Sequence, residues 1–174
     1  MKEIKKDLFS GLLDKETDAI CITTNGSFDD HGIAMMGGGS AGQARVKWEQ
    51  VPRNLGKKLK ALGVNVPYLI GASDNDGSYL EPTTNVVANK KYKCLIFSFP
   101  TIGSLIKMEG ANLNLIKNSC MEMMTHADHF KLKSILCPRP GTGIGGLDYH
   151  NEVKPVISSI LDDRFTIVSF EHED

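Results

Sequence analysis

Two glycine-rich stretches contain the residues of this sequence best suited to hold a ligand. One covers residues 137–149, C-P-R-P-G-T-G-I-G-G-L-D-Y; the other is Met36-Gly37-Gly38-Gly39, followed by Ser40 and Ala41. Glycines between a strand and a helix let the chain turn tightly with its N–H groups uncovered. The positive end of the helix dipole then favours a phosphate or diphosphate there. For either stretch alone, a glycine-rich turn without a ligand is the plainer alternative. Two loops of this kind at the carboxyl ends of neighbouring strands can hold one diphosphate from both sides. The loop ahead of the second stretch adds Asn25, Asp29, Asp30 and His31. A histidine or carboxylate beside a bound sugar serves as general acid or base near neutral pH, which makes His31 and Asp30 catalytic candidates with Asn25 as a water-positioning group. Surface loops are rich in such residues for other reasons as well.

The elements that must position these loops can be read in order. Residues 2–9 (K-E-I-K-K-D-L-F) suit an edge-like strand. Residues 18–24 (D-A-I-C-I-T-T) read as a strand covered on both faces, broken by Asn25-Gly26. Ser40 is placed to cap a helix reaching about Gln50, with Ala41, Ala44 and Trp48 inward. A second helix is expected from Pro52 to Leu62, stopped by Gly63. Strands are predicted over 64–72, 84–88 and 92–99, the last ended by Pro100, with a polar turn at 73–79. A helix over 112–127 bears an apolar stripe of Leu113, Ile116, Cys120, Met123 and Ala127, which suits core filling. The apolar run 132–137 enters the first stretch, a helix with Val153, Val156, Ile157, Ile160 and Leu161 on one face leaves it, and residues 165–170 form a last strand. The order β-β-α-α-β-β-β-α-β-α-β, without repeat or linker, predicts one α/β domain over residues 1–174 with a mixed sheet between helix layers.

The 174 residues suit a single domain with a sizeable core, and 41% hydrophobic with 24% charged residues is ordinary for soluble globular proteins. A formal net charge of −1 argues against a strong duplex nucleic-acid surface, so the lysine clusters at 2–6, 57–60 and 90–93 read as solvated faces. Cys21, Cys94, Cys120 and Cys137 lie far apart in apolar runs with no zinc-ligand spacing. The expectation is buried free thiols, no metal, no cofactor and a reducing cytoplasm. No apolar run approaches ~18 residues and the charged start lacks a signal-peptide core, so neither a membrane span nor secretion is expected. A monomer is the expected state.

Two nucleotide-binding patterns compete for the later loop. Gly141, Gly143 and Gly146 fit G-x-G-x-x-G, with Glu171 near the place of a ribose-binding acid. The sequence runs only three residues beyond Glu171, which leaves no room for the rest of a doubly wound sheet, so a dinucleotide-binding domain is not expected. Neither loop contains Gly-Lys-Ser/Thr, which excludes a P-loop.

The separated motifs Lys6-Asp7-Leu8-Phe9, Ile22-Thr23-Thr24-Asn25-Gly26, the run 32–39 (G-I-A-M-M-G-G-G), Ser98-Phe99-Pro100-Thr101 and the run 138–147 (P-R-P-G-T-G-I-G-G-L) occur in one order through almost the whole chain. Together the set resembles a macrodomain. It is most similar to the branch holding terminal ADP-ribose glycohydrolases and the bacterial antitoxins that reverse DNA ADP-ribosylation. The resemblance implies a three-layer α/β/α fold with a mixed central sheet, and ADP-ribose or an ADP-ribosylated macromolecule as partner. It assigns Asp7 to the adenine amino group with Leu8 or Phe9 beside it, and Asn25 to the distal ribose. Gly37, Gly38, Gly39, Ser40 and Ala41 would wrap the diphosphate and distal ribose, together with Gly141, Thr142, Gly143, Ile144, Gly145 and Gly146. Phe170 would pack on the adenine. The plainer readings are a turn cap for Asp7, a simple turn at Asn25-Gly26 and a core position for Phe170.

The resemblance also implies two catalytic positions, and this sequence departs from both. The lysine directly after Phe-Pro-Thr is Ile102 here, and the aspartate of the later glycine segment aligns with Gly145. Lys107 and Asp148 are nearby, but a solvent-facing lysine and a helix cap explain them. Three functions therefore stand open: an ADP-ribose-binding module, an enzyme on ADP-ribose derivatives (a de-ADP-ribosylating hydrolase or an ADP-ribose 1″-phosphate phosphatase), and sequestration of an NAD-derived nucleotide signal.

Overall fold

The computed structural model describes residues 1–169. The chain forms β1 (Lys2–Lys5), a 3-10 turn (Leu8–Leu12), β2 (Ala19–Asn25), α1 (Gly39–Lys47), α2 (Gln50–Leu62), β3 (Leu69–Ser73), β4 (Tyr79–Leu80), α3 (Thr84–Ala88), β5 (Cys94–Ile102) and α4 (Leu113–His129). It continues with β6 (Ile135–Pro138), a π-helical turn (Tyr149–Val153) that runs into α5 (Lys154–Ser158), and β7 (Phe165–Ser169).

One seven-stranded sheet has the order β1-β7-β6-β2-β5-β3-β4. Strands β1, β7, β6, β2 and β5 are mutually parallel, and β3 and β4 complete the sheet antiparallel. Side chains alternate across each strand, which divides the core into two. Ala19 and Cys21 of β2, with Leu95, Phe97 and Phe99 of β5, pack under α4 and α5. Ile20 and Ile22 of β2, with Cys94 and Ile96 of β5, pack under α1 and α2. The result is the predicted α/β/α sandwich, with apolar runs in the central strands because both faces are covered. All four cysteines are free and buried; burial pushes the Cys94 and Cys120 thiols up to about 12. No helix among the described residues is long and apolar enough to cross a membrane.

Several elements differ from the expectations, each for a local reason. The first strand stops at Lys5, because Asp7 accepts the Phe9 N–H at 3.1 Å and caps the 3-10 turn. Ser40 does not cap α1; Gly38 is the cap, and the Ser40 hydroxyl instead accepts the Thr23 N–H at 3.0 Å. Helix α2 starts at Gln50, so Pro52 falls in the first turn, where no intrahelical N–H is needed. The strand expected from residue 64 begins only at Leu69: Pro67 cannot donate to a ladder, and the Tyr68 hydroxyl donates to Val64 O at 2.7 Å within an irregular segment. Residues 84–88 are helical rather than a strand, with Thr83 accepting the Val86 N–H at 3.3 Å as the cap. Strand β5 passes through Pro100 to Ile102; β3 pairs only as far as Phe97, so it asks no N–H of the proline.

Candidate functional site

Strands β2, β5, β6 and β7 end side by side, and a cleft of about 230 Å³ opens over their carboxyl ends. Both glycine-rich loops line it, the first through Gly37, Gly38, Gly39, Ser40 and Ala41, the second through Gly141, Thr142, Gly143, Ile144 and Gly145. The loops touch: a Cβ built on Gly38 would lie 2.3 Å from the Ile144 Cδ1. The backbone turns left-handed at Gly39 (φ 56°) and again at Gly141 (φ 77°), a region glycine enters without strain.

Each loop is fixed by its neighbours. The N-terminus of α1 is pinned over the end of β2 by Ser40, whose hydroxyl meets the Thr23 hydroxyl at 2.8 Å. Asn25 is buried and clasps the loop that follows it, donating from Nδ2 to Met35 O at 2.7 Å and accepting the Ser27 N–H at 2.8 Å. The Ser27 hydroxyl accepts the Leu105 N–H at 2.9 Å, which ties this loop to the segment after β5. That segment ends at Ala111, whose N–H donates to Gly145 O at 3.0 Å.

The expected site residues divide by position. Leu8 and Asn25 line the cleft, as do the ten loop residues just named. Asp7 lies between two lining residues, Lys6 and Leu8, without lining the cleft itself, and one of its oxygens is occupied by the Phe9 N–H. Asp30 and His31 are exposed outside the cleft lining, on a loop whose Asp29 accepts the N–H groups of His31 and Ile33, both at 2.9 Å. The structure therefore does not bring the two expected acid–base groups together with Asn25. Asp148 caps the π-helical turn, accepting the Asn151 N–H at 2.9 Å, and these contacts with Asn151 hold its carboxyl below the usual range. Lys107 is exposed and outside the lining. Phe170 lies outside the described residues.

Lys6 and Arg139 also line the cleft, and sequence reasoning did not single them out. They are the only ionisable side chains among its described lining residues. Lys6 Nζ pairs with Asp14 at 2.9 Å, which holds the Asp14 carboxyl below its usual range. Arg139 lies over the Tyr149 ring at 4.5 Å. Arg139 stood inside the quoted P-R-P-G run and its charge was the available signal; Lys6 had none beyond its motif.

The two positions where the resemblance implies catalytic groups line the cleft without a reactive side chain. Ile102 is buried at the end of β5. A Cβ at Gly145 would meet Ala111 Cβ and Gly141 O, each at 2.5 Å, so no side chain fits there without moving backbone. No cluster of three or more His, Cys, Asp or Glu that could hold a metal occurs among the described residues.

No protein-family model and no curated protein matches the sequence. Solved structures do match by shape. The macrodomain of Mycobacterium tuberculosis DarG superposes with a TM-score of 0.67 at 20% identity, over 96% of this chain and 95% of that one. The macrodomain of Thermus aquaticus DarG gives 0.66 at 20% identity, over 98% and 97%. Thermosipho africanus DarTG in complex with ADP-ribose gives 0.71 at 17% identity, over 99% of this chain and 42% of that longer one. With the sheet order and the cleft described above, these likenesses establish that the chain has the macrodomain fold.

Proposed function

We propose that this chain acts as one domain that binds ADP-ribose, free or attached to a macromolecule, and does not cleave its glycosidic bond. The observation that carries the reading is the meeting of two glycine-rich loops over the carboxyl ends of parallel strands. The backbone of both loops and the N-terminus of α1 meet there, and the only charged side chains among the described lining residues, Lys6 and Arg139, are cations. A diphosphate is the ligand chemistry that such a cleft suits. A macrodomain-like structure solved with ADP-ribose supports the choice of nucleotide. In this reading Asp7 presents its second carboxylate oxygen to the adenine amino group, and Asn25 stands by the distal ribose.

Binding is favoured over cleavage because the described lining contains no carboxylate and no imidazole. General acid–base groups typically supply about 10²–10⁴ in rate. With Ile102 and Gly145 at the two positions where the resemblance implies such groups, and Lys6 paired with Asp14, that contribution has no carboxylate or imidazole source among the described lining residues. The test is a calorimetric titration with ADP-ribose, ADP-ribose 1″-phosphate and NAD, followed by product analysis on mono-ADP-ribosylated protein and DNA. ADP-ribose is expected to bind and conjugates to persist. Asp7→Ala should weaken binding roughly 5- to 150-fold, the equivalent of about 1–3 kcal/mol for an unpaired polar partner. Absence of ADP-ribose binding would overturn the reading, and rapid release of ADP-ribose from a conjugate would overturn its non-catalytic half.

A further inference from the structure

A groove of about 470 Å³ lies apart from the cleft and shares no lining residue with it. It opens between α3 and the last turn of α4, beside Tyr92, which stands just ahead of β5. Its floor is apolar and aromatic, made by Leu69, Val87, Tyr92 and Phe130. Phe130 is held edge-on to His129, with ring centres 4.7 Å apart. The rim carries Lys90, Lys131 and His129, and no carboxylate occurs among the described residues that line the groove. Three acids of the neighbouring segments are hydrogen-bonded or paired, although burial, and after it the charge of Asp18, pushes up the Tyr92 hydroxyl. Asp128 pairs with Arg164 at 2.7 Å, Glu81 accepts from Asn54 at 3.0 Å, and Asp18 accepts the N–H groups of Lys133 and Ser134. Neither rim lysine has an ion-pair partner among the described residues.

The backbone supplies a second, independent observation. Three non-glycine residues among the described ones adopt left-handed backbone, and two of them are Lys90 (φ 50°) and Lys131 (φ 55°). Each stands just past a helix end. Lys91 N–H returns to Val86 O at 2.9 Å behind α3, and Leu132 N–H returns to Ala127 O at 2.9 Å behind α4. Helix α2 meets the same requirement with Gly63 (φ 68°), which enters this region without strain. A helix carboxyl end favours a nearby cation, but a lysine in the last turn satisfies that equally well with ordinary backbone. These closing hydrogen bonds account for the left-handed turn and the dipole for the charge; what is left over is the use of lysine rather than glycine at both turns. Strain of this kind persists where surrounding structure enforces it, and it clusters at ligand sites.

We propose that this groove is a second ligand site, for a small planar aromatic anion of the mononucleotide class. The ring lies against Tyr92 and Phe130, and the phosphate is held between the ammonium groups of Lys90 and Lys131. The volume falls within the range of small-molecule pockets, and a ring over an aromatic floor with a doubly charged head at two cations matches the lining. Because the groove and the cleft share no lining residue, both can be filled at once.

The experiment saturates the full chain with ADP-ribose and titrates adenosine 5′-monophosphate, followed by NMR on Tyr92, His129 and Phe130 and by calorimetry at low and moderate salt. Shifts at these residues, weakening with salt, are expected. Lys90→Gly/Lys131→Gly should weaken binding at least about tenfold, since each ammonium makes a charge-assisted contact. The same variant should melt about 2–4 °C higher or unchanged, because glycine relieves the left-handed backbone. Any of three results would overturn the proposal: no shift in the groove at millimolar nucleotide, unchanged affinity in the double-glycine variant, or adenosine binding as tightly as its monophosphate. Since the readout is local to the groove, it stands whether or not ADP-ribose occupies the cleft.

Discussion

The two glycine-rich loops look alike in sequence and are built on different demands. In the first, Gly37 and Gly39 have nothing within 4 Å of where a side chain would begin, and Gly38 faces only the tip of Ile144. In the second, Gly141 and Gly145 are pressed against the protein itself, Gly141 against Ala111 and Ile116, and Gly145 against Ala111 and the Gly141 carbonyl. One loop therefore keeps its glycines chiefly for the surface it shows the cleft. The other needs two of its glycines, Gly141 and Gly145, to fold at all and leaves Gly143 and Gly146 open. A glycine count does not separate these cases; the neighbours of each Cα do.

The sharpest way to break this comparison is Gly145→Ala. Overpacking against fixed backbone costs about 1–3 kcal/mol or more, so the denaturation midpoint should fall clearly, and Gly145→Asp should fall further without gaining hydrolase activity. An unchanged midpoint for the alanine variant would show that the second loop is as free as the first. A smaller effect is expected from Gly38→Ala. Its clash is with the far end of an exposed, flexible side chain, so the loss should stay below about 1 kcal/mol and largely vanish in the Ile144→Ala background. Additive losses would show that the two loops do not touch in solution. The smallest stability effect belongs to Gly143→Ala, within about ±0.5 kcal/mol, since nothing lies near and its backbone is ordinary. Its affinity for ADP-ribose should nonetheless drop about fivefold, the equivalent of one weakened backbone hydrogen bond. Calorimetry on a variant with wild-type melting would separate the two quantities.

What the sequence made legible follows the same division. The short β-branched, apolar run from Asp18 to Thr24 placed β2 to within a residue, because a strand covered on both faces is apolar nearly throughout. The stripe from Ile116 to Ala127 placed α4 because only one face of that helix is buried. Local chemistry was harder to weigh. Val86 and Val87 suit a strand by propensity, yet the Thr83 hydroxyl caps the segment into a helical turn. Asp29 stood out as a charged group near a ligand and Asp7 as an adenine partner with a turn cap as its plainer reading, while Asp148 was read as a helix cap. In the structure each spends a carboxylate oxygen on backbone N–H groups of its own loop. A sequence shows that a carboxylate is present, whereas its occupation depends on a turn geometry that single residues do not specify. Arg139 and Lys6 were overlooked for the opposite reason: a lone cation has no pattern until the fold brings it to the cleft.

The bonds around the cleft rim have a thermodynamic consequence. From Met35 through Asn25 to Ser27, on to Leu105, and from Ala111 to Gly145, hydrogen bonds join segments distant in sequence into one frame. Ordering a free loop residue on ligand capture costs about 1–2 kcal/mol of chain entropy. Here much of that ordering is completed at folding, so the cleft meets its ligand preorganised, and more of the contact energy remains as affinity.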